Sequence, residues 1–247
     1  MKINGWDISE ANAKQWNVIP GFHTVGNDSE WSRGSPEPVL LKNEIGFKPL
    51  QVSLLVKADQ DRQAILHQCS EILSHLQEPA ELELDDFDHK FYGILKKHTF
   101  VENALGIPWV KYNRAGKLTL EFEGYEYSDE EAKIGSGTTE IAITNQGNIP
   151  TPAVIEITPQ IGVASITLTG ICRDSNTGTD LPIMINNLET GKTVILDGET
   201  GLFTMEGELK AGDIEIWRVP VLFPGENKIT VNNDRMDIVV RYRPRFM

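Results

Sequence analysis

One stretch constrains the fold more than any other: residues 140–158, EIAITNQGNIPTPAVIEIT. Ile141 and Ile143 alternate with more polar neighbours, Asn145-Gln146-Gly147-Asn148 punctuates, and Val154, Ile155 and Ile157 resume the apolar pattern. The stretch therefore reads as strand, turn, strand, and it opens a new domain. Just before it, DEEAKIGSGT carries charge, Gly and Ser but almost nothing to bury, so residues 129–137 read as a linker. The expected division is a first domain over residues 1–128 and a second over 138–247, each long enough to bury its own core.

No apolar run approaches the length of a membrane span, and the opening MKINGWDISEANAK is too polar for a secretory signal, so folding in a cytosol without membrane insertion is expected. Disorder is expected in the linker and over residues 27–38. Cys69 and Cys172 lie in different halves and in apolar settings, which favours two reduced, buried thiols over a disulfide or a zinc site. With 23 basic against 36 acidic side chains, the formal net charge of −13 argues against a surface that grips nucleic acid or anionic lipid. The exception is the C-terminal end, where Arg241, Arg243 and Arg245 recur at every second position. In a strand they would line one face, which suits either an acidic partner or a solvated edge.

In the first half, PLQVSLLVK (residues 49–57) alternates Leu50, Val52 and Leu54 against Gln51 and Ser53 and reads as a strand. A helix follows, with Asp59 as N-cap, a stripe of Ile65, Cys69, Ile72 and Leu76 widened by Leu66 and Leu73, and Pro79 closing it. His67 and His75 are separated by more than two turns and cannot share a metal unaided; both read as exposed surface side chains. Glu81 and Glu83 face solvent from a strand whose Leu82 and Leu84 point inward, and Asp85-Asp86-Phe87-Asp88 has turn composition. That acid cluster lacks both the ligand spacing of a calcium loop and the arrangement of a glycosidase. Residues 91–100 supply a return strand, 101–107 a loop, and 109–112 with 116–127 a closing hairpin. Leu118, Leu120 and Phe122 make its greasy face; Thr119, Glu121 and Glu123 make its acidic one. The half is α+β, with one helix laid across a sheet.

The second half has no helical periodicity, only short runs divided by turns at intervals that imply about nine strands, the pattern of a two-sheet sandwich or jelly roll. The chain as a whole is expected to be mainly β.

The order of these features resembles the distal tail (Dit) proteins of phages and prophages with long, non-contractile tails. The resemblance is carried by PLQVSLLVK, the helix, ELEL with Phe91-Tyr92-Gly93, GKLTLEFEGYEY, NQGNIPTPAVIEIT, LETGKTVIL, FPGENKITV and VVRYRPRF, and it covers nearly the whole chain. It implies a non-enzymatic virion protein at the tail tip. Its first domain would form a homo-hexameric ring continuing the tail tube, and its second would be a galectin-like sandwich projecting outward. The implied partners are the tail tube protein, a tail-tip or tail-associated protein and, in some phages, a receptor-binding protein. Duplex DNA would pass through the bore without specific binding, and a like-charged lining, suggested by the acidic face of residues 116–127, would let it slide.

A galectin-like fold does not guarantee a sugar site. All five histidines precede the linker, and Trp217 is followed by Arg218-Val219-Pro220-Val221, so the galectin sugar-binding pattern is absent. Trp217, in IEIWRVPVLF, is either packed between sheets or against a neighbour, or a stacking platform for saccharide. The competing reading is accordingly a carbohydrate-binding protein for host cell-wall saccharide. No catalytic motif, metal-ligand spacing or phosphate loop is present, and no cofactor is expected.

Overall fold

The computed structural model describes residues 1–22, 25–30, 39–58, 62–102, 114–174 and 178–246. They form two compact units, Met1–Tyr127 and Ser128–Phe246. The fold is mainly β.

The first unit contains β1 (Lys2–Ile3), β2 (Trp6–Asp7), β3 (Ala13–Pro20), β4 (Val25–Glu30), β5 (Val39–Ile45), β6 (Lys48–Ala58), α1 (Arg62–Ser74), β7 (Ala80–Glu83), β8 (Lys90–Glu102) and β9 (Arg114–Tyr127). Its antiparallel sheet runs β2-β1-β7-β8-β9-β6-β3, and β4 and β5 form a separate ribbon. The alternation in β6 and β9 places Leu50, Val52, Leu54, Leu118, Leu120 and Phe122 on one buried face. Onto that face α1 lays Ile65, Cys69 and Ile72, and the turn that follows it at Ser74, ahead of the expected stop at Pro79, adds Leu76; all four are buried. Each fully buried Leu or Ile contributes about 1.5–3 kcal/mol, so this layer pair is the unit's main stabilising contact. Leu66 departs from the expectation: it stands on the helix flank and is 46% exposed. His75, beyond the last helical turn, is half-buried and stacks on Trp6 with ring centroids 4.2 Å apart, whereas His67 is exposed. Asp59 and residues 31–38, 103–107 and 109–112 fall outside the described residues. Residues 27–30, expected to be disordered, lie in β4, and residues 101–102, expected to be loop, extend β8.

The second unit contains β10 (Glu131–Ser136), β11 (Glu140–Asn145), β12 (Thr151–Pro159), β13 (Val163–Thr169), β14 (Ile183–Leu188), β15 (Val194–Asp197), β16 (Phe203–Met205), β17 (Glu208–Leu209), β18 (Ile214–Glu215), β19 (Val221–Leu222), β20 (Gly225–Val231) and β21 (Met236–Tyr242). One sheet runs β10-β21-β12-β15-β16-β17, with β19 also on β12; the other runs β11-β20-β13-β14-β18. Ile155, Ile157, Leu196 and Val240 from the first sheet share one core with Ile143, Ile166, Ile185 and Ile229 from the second, which makes the unit a sandwich.

β11 and β12 are the two runs that flank the turn at residues 145–148, and they belong to different sheets. The turn therefore carries the chain across the sandwich. Buried Asn145 holds this corner: its amide donates to Thr151 Oγ1 at 3.2 Å and to the Leu222 carbonyl at 3.3 Å, while its oxygen accepts from Gly147 N–H at 3.0 Å.

The expected linker at residues 129–137 is corrected by the structure. Most of it is β10, paired antiparallel with β21 from Glu131 opposite Tyr242 to Ser136 opposite Asp237. Its one large apolar side chain, Ile134, is 70% exposed, so backbone pairing rather than side-chain burial places this strand at the sheet edge. The strand count also exceeds the expected nine, because β16 to β19 are only two or three residues long and carry no alternation to read.

Candidate partner-binding surfaces

The second unit carries a hollow of about 560 Å³. Pro150, Val219, Val221 and Phe223 give it apolar walls, Arg173 and Arg218 supply cationic groups, and Asp174 an anionic one. The Arg173 guanidinium lies over the Phe223 ring, 4.5 Å from its centroid, and its Nε donates to Asp180 at 2.7 Å. Beneath it, Cys172 is buried, and its Sγ lies 3.3 Å from the Arg218 carbonyl. Burial pushes this thiol above its ordinary pKa. The segment after Arg218 is held by backbone bonds: Val221 N–H donates to the Ile171 carbonyl at 2.8 Å, and Ala153 N–H to the Pro220 carbonyl at 3.1 Å.

Trp217 immediately precedes this wall and is 81% exposed. Packing between the sheets, one of the readings of the sequence, is thereby excluded; an outward aromatic surface remains. The three C-terminal arginines do not act as one row. Arg241, in β21, is met by Glu156 at 3.1 Å and Glu130 at 3.8 Å within its own unit, while Arg243 and Arg245 lie beyond that strand, separated by buried Pro244. Arg245 is drawn into the fold through its backbone, where N–H donates to Thr151 Oγ1 at 3.2 Å.

In the first unit, the sheet face opposite α1 buries Ser53 and Leu55 of β6 and exposes side chains of β8. The carboxylates expected to make it acidic are matched by lysines of β8: Lys96 meets Glu123 at 3.0 Å and Lys97 meets Glu121 at 3.2 Å. Lys14, Lys57 and Lys117 stand on the same face by register, so the expectation of an acidic face is corrected to one of mixed charge. Beside the pairs stand exposed Tyr92 and Ile94. A register shift between Leu95 and Lys97 puts Lys96 and Lys97 next to carboxylates two positions apart on β9.

The sheet ends in β3, whose Trp16 and Ile19 are 57% and 52% exposed. Sequence reasoning left this passage unresolved. An irregularity between Gln15 and Asn17 interrupts its pairing with β6, which breaks the period-2 pattern that would have revealed the strand. An eight-residue edge strand bearing large apolar groups is a surface that association would cover.

The acids around residues 81–88 form structural contacts. Lys90 Nζ reaches Glu81 at 2.9 Å and Glu83 at 3.3 Å, Lys2 reaches Glu83 at 3.2 Å, and the Tyr127 hydroxyl donates to Glu81. Hydrogen bonds from Lys2 and Lys90 hold the Glu83 carboxyl below its ordinary pKa. Glu81 and Glu83, expected to face solvent, are half-buried by these partners. Asp85 and Asp86 occupy the expected turn, with Asp86 at φ 66°. Among the described residues no three His, Cys, Asp or Glu side chains converge as a metal site would require, and no helix is long and apolar enough to cross a membrane.

No known protein family matches the sequence, and no curated protein does. Among solved structures, the chain is similar to the Dit protein of SPP1, a paradigm of the hub adsorption apparatus in phages infecting Gram-positive bacteria. That similarity covers 99% of this chain and 98% of the other, at TM-score 0.75 and 12% identity. Two structures of the activated phage p2 baseplate also match: with strontium at TM-score 0.49 and 12% identity, and with calcium at 0.48 and 11%, each covering 96% of this chain and 92% of the other. The likeness to the SPP1 protein establishes a Dit-like fold.

Proposed function

We propose that a chain with this Dit-like fold is a phage tail hub: a structural, non-enzymatic virion protein at the tail tip. Its first unit closes into a ring of six copies that continues the tail tube, and duplex DNA passes through without specific contacts. The neighbouring parts are a tail tube protein on one side and a tail-tip or tail-associated protein on the other, with a receptor-binding protein as a further partner. The observation that carries the reading is the similarity to the SPP1 hub protein across 99% of the chain.

Two local features support it. Edge strand β3 offers unpaired backbone and exposed Trp16 and Ile19 to a neighbouring copy, the heterologous type of contact from which closed rings are made. On the sheet face opposite α1, Lys96 and Lys97 are engaged by carboxylates, which leaves these two less free to hold phosphates. Sedimentation of the full chain over a wide concentration range tests the ring: six copies are expected, and Trp16→Lys with Ile19→Lys is expected to leave monomers. A monomer at every concentration, for the unaltered chain, speaks against it. Trp217 and the Arg241, Arg243 and Arg245 segment are the proposed partner-contact residues of the second unit.

A further inference from the structure

We infer that the hollow on the second unit is a docking site for an exposed segment of another protein, one that presents a large apolar side chain with a carboxylate close by in sequence. The inference goes beyond the ring reading and does not depend on it, because every group involved lies within one sandwich.

At about 560 Å³ the hollow falls within the size range of ligand pockets, roughly 300–1,000 Å³. Pro150, Val219, Val221 and Phe223 suit an apolar side chain, and the charged residues of the lining are Arg173, Arg218 and a single carboxylate, Asp174. The two arginines have different tasks. Arg173 is already engaged, its charge by Asp180 and its face by Phe223, and it serves as part of the wall. Arg218 is exposed and makes no ion pair among the described residues. In a chain of net charge −13, an unpaired guanidinium beside an apolar hollow is complementary to a carboxylate next to an apolar anchor.

Trp217 adds an exposed aromatic immediately before Arg218, and Val219 is itself 38% exposed. Trp and Arg around an apolar pocket are the residue types that dominate the energetics of protein interfaces. The wall is also held in place before any partner arrives. The Arg218 carbonyl is approached by Cys172, the Pro220 carbonyl accepts from Ala153, and Val221 donates to Ile171, so little ordering cost remains. A saccharide fits less well, because half of the lining is apolar and Arg173, one of its charged groups, is already engaged by Asp180. A nucleic acid is disfavoured because, among the described residues lining the hollow, Arg218 alone is a cation outside an ion pair, in a chain of net charge −13.

The test pans the protein against a displayed library of random short peptides, then measures binding of the synthetic winners. Enriched peptides are expected to share a large apolar residue with Asp or Glu within a few positions. Val219→Asp and Arg218→Glu should each weaken binding by about tenfold or more, and Arg218→Glu should regain affinity for the same peptide with Lys replacing its acid. That exchange distinguishes direct contact from a folding defect. The inference is overturned if no such peptides emerge, or if the winners bind Arg218→Glu unchanged. It is also overturned if poly(glycerol phosphate) or N-acetylglucosamine oligomers, run alongside, bind in a manner lost with Trp217→Ala, which would make this a saccharide site. Monomeric protein with intact peptide binding would contradict the ring and leave this site standing.

Discussion

The Tyr242 hydroxyl donates a 2.7 Å hydrogen bond to a carboxylate oxygen of Glu131, the residue directly opposite it in the pairing of β21 with β10. The same hydroxyl lies 3.2 Å from the Thr144 carbonyl, so one buried side chain ties the start of the second unit to its end and to the facing sheet.

That arrangement gives a pH dependence. Burial, and then the Glu131 charge, raise the Tyr242 phenol above its ordinary value of 10.0. The unfolded chain releases this proton first, so the group's stabilisation is complete below that value and is lost as pH rises towards the folded one. Tyr242→Phe should lower stability by about 1 kcal/mol at neutral pH and flatten the loss seen in strongly alkaline buffer. Denaturant midpoints measured across that range check both halves of the expectation.

Gly93 and Gly124 face one another where β8 and β9 pair. A methyl group on Gly124 would lie 2.0 Å from the Tyr92 carbonyl oxygen and 2.6 Å from the Gly93 Cα, both backbone atoms that cannot swing aside. Gly124→Ala should therefore cost about 1–3 kcal/mol, as overpacking does. Gly212→Ala, whose added carbon meets nothing within 4 Å, should stay within about 0.5 kcal/mol of the unaltered protein. Thermal or chemical melts of the two variants make the comparison.

The lysine–carboxylate pairs on the sheet face opposite α1 predict latent nucleic-acid affinity. Each exposed pair adds little to stability, about 0–1 kcal/mol, so its consequence is electrostatic. The unaltered protein should not retard duplex DNA at physiological salt. Glu121→Gln with Glu123→Gln frees Lys96 and Lys97 and should produce retardation that fades as salt rises. Retardation by the unaltered protein, or none by the variant at low salt, would contradict this role for the carboxylates.

Cys69 faces the core from α1, and burial pushes its thiol up to about 11. Thiol reagents act on the thiolate, so native protein near pH 8 should label slowly at this position and rapidly once denatured. Timed labelling with peptide mapping distinguishes Cys69 from Cys172.

The two sheets and the helix were legible because their signals are periodic. Ile65, Cys69, Ile72 and Leu76 repeat at helical spacing, and Leu118, Leu120 and Phe122 alternate; all seven are buried. The edges were not legible. β10 buries almost no large apolar side chain, and β3 loses its alternation at the irregularity between Gln15 and Asn17, so neither announces itself in a sequence. The hollow was half legible: IEIWRVPVLF pointed to Trp217, but Arg173 and Phe223 are fifty residues apart in the chain and meet only through the pairing of strands. The acidic face misled because opposing lysines on a neighbouring strand cannot be read from β9 alone.

The central claim is a closed ring of this chain, and the most direct test is electron-microscope imaging of the purified protein, alone and mixed with the tail tube protein proposed as its partner. The account predicts perforated particles with sixfold symmetry in at least the mixed sample, lost when Trp16 and Ile19 are both replaced by Lys. Particles without a bore in both samples would contradict the ring, and rings that survive those replacements would contradict its closure through β3.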